Sequence, residues 1–389
     1  MLTILPAKGS QELHCSLTHT SLDHPSEYHA LSYAWRDDDL YSNRDEKNVA
    51  RGDDGSEDIT INNEQLKVGR NLAAALKARR SHEFSSIPLW VDAISINQDE
   101  IAERSGQILR MRDIYARASK VTVWLGPERD DSAKAFQFIE MIHNRSNELE
   151  GWVKDPSTGG LMKDSSVFAN WFEKSLVKRT YSQEWKAVHK LLRRAWWKRI
   201  WIVQEMVAAR KILLFCGEQA LDSEHLSGFF DLLVAHGIMY LPLLNKLEGI
   251  VLEYDAFSLA RAYLRQKNWK RASLLQALYR TGMSLSSEPR DKIYAVLNLV
   301  QDGGKIVPQP NYSLSIRDVY KGLVVSMVRE TGRLDVLSLA GLPVYPRKLR
   351  IDLPTWATDW SCRVTSTINS SIGEVKPVWV SSPLLFRIQ

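Results

Sequence analysis

The residues of this chain that could do chemistry fall in short clusters at the ends of apolar runs. Asp92 lies near the end of Pro88 to Ile94, a run that reads as a buried strand, and Asn97, Gln98 and Asp99 belong to the polar edge into which it empties. Open α/β sheets place their ligand crevice just beyond the carboxyl ends of strands. These side chains therefore either line a nucleotide pocket or act as scaffold, with Asp92 bracing a loop and Asn97 to Asp99 capping a helix that begins near Ile101. Ser32 and Trp35 close the alternating run from Tyr28 in the same topological position, and Trp35 either stacks on a flat ligand or packs in the core. Glu205 follows Trp201 by four residues, so on a helix the indole and the carboxylate share a face, and desolvation there raises the pKa of the acid. The structural alternative for Glu205 is an ion pair with Arg199 or Arg210, or a bond to a backbone amide.

Other suggestive segments have plainer readings. Glu103-Arg104 suits a helix start, with the acid near the positive end of the dipole. Arg193 to Arg199 mixes basic and aromatic residues, which fits an amphipathic segment docking its indoles better than a nucleic-acid motif. Pro289-Arg290-Asp291 reads as a helix opening, with Tyr294 and Leu297 on its buried face. The nine histidines show no paired metal-ligand spacing, and no phosphate-binding loop or GxSxG elbow is present. Metal catalysis, Walker-type hydrolysis and serine-hydrolase chemistry thus have no support in the sequence.

The elements that must position these residues alternate. A strand ending at Trp35 precedes a polar loop at 37–58, then a hairpin of Ile59 to Ile61 and Leu66 to Val68 around Asn-rich turn chemistry. A helix follows with Asn71 as its cap and Leu72, Ala75, Leu76 and Arg79 at helical spacing. After the strand at Pro88 to Ile94 comes a helix over Ile101 to Ser119, with Ile108, Met111, Tyr115 and Ala118 on one stripe, and then a strand over Lys120 to Gly126. Asp130 to Asn147 is helical in pattern, Glu150 to Asp164 reads as a loop, Trp185 to Arg210 as helix with a break near Trp196, and Lys211 to Gly217 as a further strand. Four sheet strands besides the hairpin, joined by short right-handed crossovers, imply an open parallel α/β sheet flanked by helices. The pattern then becomes mainly helical, at Ser223 to His236, Leu241 to Arg265 and Ser313 to Glu330 with Gly332 as stop. The expected division is residues 1–220, with a core from about 28 and insertions near 37–58 and 147–184, followed by a helical extension over 221–389.

Bulk composition narrows the class. With 389 residues, 44% hydrophobic and 25% charged, the chain can bury a sizeable core. A net charge of +5, with both signs interspersed, gives no nucleic-acid signal. Cys15, Cys216 and Cys362 are widely spaced, which points to a reducing, cytoplasmic setting, and no signal peptide or membrane span is expected.

Several motifs in order resemble the fungal heterokaryon-incompatibility (HET) family. They are Leu31-Ser32-Tyr33-Ala34-Trp35, Asn71 to Leu76, Trp90 to Gln98, Glu103-Arg104 with Gln107 and Tyr115, Val123 to Gly126, Trp197 to Glu205, Glu288 to Tyr294, and Leu353 to Trp356 with Asp359 to Ser361. The pattern departs at Arg36, Ser95 and Asn298, where the family commonly has Gly, Cys and Gly. The resemblance implies self/non-self recognition and regulated cell death of an innate-immunity type, a distant likeness to the Toll/interleukin-receptor (TIR) fold, and partners that are other copies of the chain or another incompatibility protein. Some TIR-like proteins cleave NAD with one glutamate. By that analogy Glu205 is the candidate catalytic acid, NAD the candidate substrate with no resident cofactor, and Ser32, Trp35, Asp92, Asn97, Gln98 and Trp201 the candidate nucleotide-binding residues, Trp35 against a base or nicotinamide. The competing readings are a non-catalytic interaction module and a degenerate member altered at Arg36 and Ser95.

Overall fold

Strand pairing radiates from the run His29 to Tyr33, all five residues of which are buried. The computed structural model describes residues 1–6, 12–35, 55–149, 151–154, 161–164, 166, 170, 171, 174, 181–235, 269, 271–340, 344–345, 352–361 and 363–364. The strands are β1 (Leu2–Ile4), β2 (His14–Leu17), β3 (His29–Tyr33), β4 (Ser56–Ile61), β5 (Glu64–Gly69), β6 (Leu89–Trp90), β7 (Lys120–Trp124), β8 (Gly151–Lys154), β9 (Leu161–Asp164), β10 (Ile212–Cys216) and β11 (Gln219–Asp222). Apart from the separate β8–β9 hairpin they form one nine-stranded mixed sheet in the order β11-β10-β7-β3-β6-β1-β2-β4-β5.

Its centre is parallel. β3 pairs with β6 on one side and β7 on the other, and β7 pairs with β10. Counted along the chain, these four strands lie in the order second, first, third, fourth, the doubly wound arrangement that opens a crevice where the winding reverses, at the carboxyl ends of β3 and β7. Antiparallel β1 and β11 extend the two sides.

The side-chain period of two sorts β3 and β7 between two apolar layers. On one face Leu31, Tyr33 and Trp124 meet helix α1 (Arg70–Arg80) through Leu72, Ala75 and Leu76. On the other, Ala30, Val121 and Val123 meet α3 (Ile101–Arg117), which follows the single turn α2 (Asp92–Ser95). The same layer takes in α4 (Ser132–Leu149), α5 (Ser182–Leu192), α6 (Ile202–Ala208) and α7 (Ser223–Ala235). Helices α8 (Leu274–Arg280), α9 (Asp291–Tyr294), α10 (Gly303–Ile306) and α11 (Ile316–Thr331) contribute Leu278, Ile293, Ile306 and Tyr320 to it as well. Backbone bonds join the two stretches, Ile200 N–H donating to Leu285 O at 2.8 Å and Leu285 N–H to Lys198 O at 2.5 Å.

Several expectations hold in kind and shift in detail. The hairpin turns at Asn62 and Asn63, both with positive φ, as its chemistry predicts. Ser315 caps α11 and Gly332 stops it at φ 65°. The strand expected over Pro88 to Ile94 ends at Trp90, because Asp92 accepts the Ala93 N–H at 2.8 Å and starts a helical turn. The loop expected at Glu150 to Asp164 contains the β8–β9 hairpin, and the helix expected over Trp185 to Arg210 is broken into α5, a 3₁₀ turn at Ala195–Lys198 and α6. β1, β2 and β11, each of three or four residues, are too short to show a period. The sheet is consequently mixed rather than parallel throughout. The loop expected at 37–58 lies outside the described residues as far as 54, and its last three positions belong to β4; the helix expected over Leu241 to Arg265 also lies outside them.

Asn71 is not the cap of α1. Gly69 occupies that position, and Asn71 is buried at the second helical position, its amide donating to Ala34 O at 2.6 Å and accepting the Trp124 indole N–H at 2.8 Å. This one side chain pins the chain leaving β3 to the end of β7. Asn71→Ala leaves a buried carbonyl and a buried indole N–H unpaired, a loss of roughly 2–4 kcal/mol. Urea denaturation should show a clearly lower midpoint at unchanged slope; an unaltered midpoint would remove Asn71 as a brace.

Candidate functional site

At the carboxyl ends of β3 and β6 the structure gathers an ionisable cluster from four elements. Ser32, on the α3 side of β3, donates its hydroxyl to Glu205 Oε2 and accepts the Trp196 indole N–H at 2.7 Å. Glu205 projects from the first turn of α6 and is 1% exposed. Its Oε1 lies 3.8 Å from Arg199 Nη1, and the same nitrogen donates to Tyr33 O at the end of β3. Arg199 follows the 3₁₀ turn Ala195–Lys198, and its side chain keeps 20% exposure. Asp92, partly buried on α2, accepts the Trp35 indole N–H at 3.1 Å and the Ala93 N–H, and the Tyr33 phenol lies against it. Trp35 is 47% exposed and forms the outer wall.

The electrostatics follow from two carboxylates sharing one guanidinium. Burial pushes Glu205 above the ordinary carboxylate range, Arg199 and the Ser32 hydroxyl oppose that, and the neighbouring Asp92 charge adds to it. Burial likewise raises Asp92 against the pull of Arg199 and the Trp35 bond. For Arg199 burial acts to discharge the guanidinium, but Glu205 and Asp92 outweigh it and hold the cation more firmly. With both acids ionised the cluster would carry a net negative charge out of water, so it favours keeping a proton. With one proton shared between two acids, the protonated one can donate to a sugar hydroxyl while the ionised one accepts from hydroxyls and steadies a developing positive charge.

The structure unites Ser32, Trp35, Asp92 and Glu205. Gln98 joins them through its amide, which donates to Asp92 O at 3.3 Å. Asn97 is turned inward on its own loop, accepting the Asp99 N–H at 3.2 Å, while its N–H goes to Glu103 Oε1 at 3.2 Å. Neither Asn97 nor Asp99 caps α3, whose boundary residue is Glu100 with no side-chain cap. Trp201 departs from the expected geometry. It precedes α6 as its boundary residue, and its indole N–H goes to Asp291 Oδ2 at 2.9 Å, so the indole serving the Ser32–Glu205 pair is Trp196. Of the two arginines offered as partners for Glu205, Arg199 is the one observed, and Arg210 is exposed. Trp196 and Tyr33 were missed as members of the site. The strand alternation placed Tyr33 beside Ser32 without indicating that its carbonyl would anchor Arg199. Beside Glu205, the fully buried Gln204 has neither amide atom bonded among the described residues, and Ser95 Oγ is likewise buried and unbonded among them.

The fold and cluster define a class: an open α/β sheet with a charged, partly buried cluster at the carboxyl ends of β3 and β6, beside the point where its winding reverses. Residues 28–205 match the family model described as Heterokaryon incompatibility protein (HET). That span begins just before β3 and ends at Glu205, so it contains both ends of the Ser32–Glu205 bond. The chain is also 25% identical to Heterokaryon incompatibility protein 6, OR allele, of Neurospora crassa, over 94% of its own length and 58% of that protein's. No solved structure matches the chain. Among the described residues no helix is long and apolar enough to cross a membrane.

The Trp201–Asp291 bond ties the end of the matched span to α9. Tyr312 also donates to Asp291, at 2.5 Å, yet burial still pushes this acid from 3.8 to about 6. A raised folded-state value stabilises the fold below the unfolded pKa, and that contribution is lost as pH rises through about 6. The loss amounts to roughly 2–3 kcal/mol. Unfolding free energy measured across this window should fall with pH in the wild type and fall less in Asp291→Asn; identical slopes would contradict the assignment.

Proposed function

We propose that the chain acts in heterokaryon incompatibility, in self/non-self recognition and regulated cell death, through a nucleotide site at the Ser32, Trp35, Asp92, Arg199 and Glu205 cluster. The observation that carries this reading is the convergence of Ser32, Asp92 and Glu205, distant in sequence, beyond the carboxyl ends of β3 and β6, where open α/β sheets hold their ligands. The HET match over 28–205 and the Neurospora relative support the incompatibility role. The strand order of the parallel centre is that of flavodoxin-like sheets, which is compatible with a TIR-like ancestry and is a fold-level analogy only.

Within this reading NAD is the proposed substrate and no resident cofactor is required. A dinucleotide would approach from the side of Trp35, whose exposed indole offers a stacking face for a base or the nicotinamide. Glu205 would hold the nicotinamide-side ribose and stabilise the oxocarbenium-like state as the C–N bond breaks. Nicotinamide leaves with the bonding pair and water completes the sugar, giving ADP-ribose and a proton. Residues 221–389 are then a companion region, coupled through Trp201 and Asp291, in a cytoplasmic effector.

The deep burial of Glu205 and its two occupied oxygens favour a second reading, a non-catalytic module that signals by self-association or by binding another incompatibility protein. Nicotinamide release from NAD at high protein concentration, with and without crowding agent, separates the two. The enzymatic reading expects release that Glu205→Gln abolishes while the melting transition persists, and that Trp35→Ala weakens mainly through KM. Folded, assembled wild type that releases nothing leaves the interaction reading standing and makes Glu205 a structural acid.

A further inference from the structure

The opposite end of the parallel strands carries the reverse chemistry. His29 opens β3 and pairs in register with Lys120, which opens β7. Arg79, near the end of α1, sits over them at 4% exposure, its Nη2 at 3.1 Å from His29 Nδ1. Because arginine only donates, His29 Nδ1 must accept and its proton sits on Nε2. That Nε2, together with Arg79 Nε and Nη1, is buried with no partner among the described residues, and so is His82 Nδ1. No acidic side chain acts on Arg79 or His29 among the described residues; exposed Glu83 acts on His82. Phe84 gathers the group, with Lys120 Nζ 3.9 Å and the Arg79 guanidinium 5.5 Å from its ring centre, His82 stacked on it at 4.9 Å and His29 edge-on at 5.5 Å.

The unmet groups of Arg79 and His29 are all donors. A buried guanidinium without a counter-charge is costly, and a compact group rich in acceptors and negative charge would relieve it. Phosphate oxygens fit that demand, since arginine meets them with its planar fork and lysine with a point charge. Lys120, His82 and Phe84 are only half buried, so the group is approached from their side. We infer that His29, Arg79, His82 and Lys120 form a phosphate-binding site at the amino-terminal end of the parallel strands, taking free phosphate or the phosphate of a small phosphomonoester. It lies at the other end of β3 from Ser32 and Glu205, so it stands whether or not that cluster is catalytic.

The test is titration of the full chain with inorganic phosphate and separately with adenosine monophosphate, against chloride at matched ionic strength, reading melting temperature and the imidazole resonances of His29. The site predicts a phosphate-specific rise in melting temperature. It also predicts an upward move of the His29 midpoint, which burial and the neighbouring Arg79 and Lys120 hold down at about 4. Lys120→Met, at a half-exposed position, should weaken binding by about tenfold or more with the fold intact. Arg79→Met should abolish the phosphate response without lowering the melting temperature of the free protein, since it removes an uncompensated buried charge. Tighter binding of the nucleotide than of phosphate identifies a phosphomonoester as the ligand, and equal binding identifies the free anion. Absence of any response beyond that to chloride, or an Arg79→Met protein that melts lower while still responding to phosphate, overturns the proposal.

Discussion

Two carboxylates and one guanidinium cannot leave water together unless each finds bonded partners and the excess charge is met by a proton. Arg199 is the point where that constraint is satisfied. It reaches the Tyr33 carbonyl at the end of β3, faces Glu205 and acts electrostatically on Asp92. Each acid is held from another side as well, Glu205 by Ser32 and Asp92 by Trp35 and the Ala93 amide. The positions of α2, the 3₁₀ turn and α6 relative to β3 are thus tied to one electrostatic requirement. Moving any of them leaves a buried charge without its partner.

The sheet explains why these residues meet. Parallel strands place their carboxyl ends on one edge, and the reversal of winding at β3 and β7 leaves a gap there between helices on opposite faces. Asn71 holds that edge closed from the α1 side by bridging Ala34 and Trp124. The cations at the other edge, His29 and Lys120 on neighbouring strands with Arg79 above them, make the two ends of the same strands chemically opposite. Trp201 and Asp291 carry the acidic end toward α9, and the matched span and the helices after it share one apolar core.

The central strands and α3 were legible in the sequence because buried parallel strands are short and apolar and because Ile108, Met111, Tyr115 and Ala118 follow the helical period. The convergence of Ser32, Asp92 and Glu205 was legible only as a consequence of topology together with family resemblance. Its detail was not. Spacing of four placed Trp201 beside Glu205, but Trp201 stands at the boundary of α6 and its indole is claimed by Asp291, ninety positions away in sequence. Trp196 took the expected role because a 3₁₀ turn rotates its ring toward Ser32, and no periodicity of the run Ala195 to Lys198 distinguishes that turn from a continuing α-helix. Asn71 misled for a related reason, since the residue type that favours caps also suits a buried bridge between a carbonyl and an indole. Long-range polar partners of this kind depend on the assembled fold and leave no local pattern.

The central claim is that Asp92 and Glu205 titrate as a pair around Arg199. Carboxyl-carbon NMR of the two side chains tests it most directly, in the wild type and in Asp92→Asn. The account predicts that both midpoints lie above the ordinary carboxylate range and that neutralising Asp92 lowers the Glu205 midpoint, because the Asp92 charge is one of the influences raising it. Ordinary midpoints, or a Glu205 titration indifferent to Asp92, would show that the two acids are not coupled and would remove the electrostatic basis of the site.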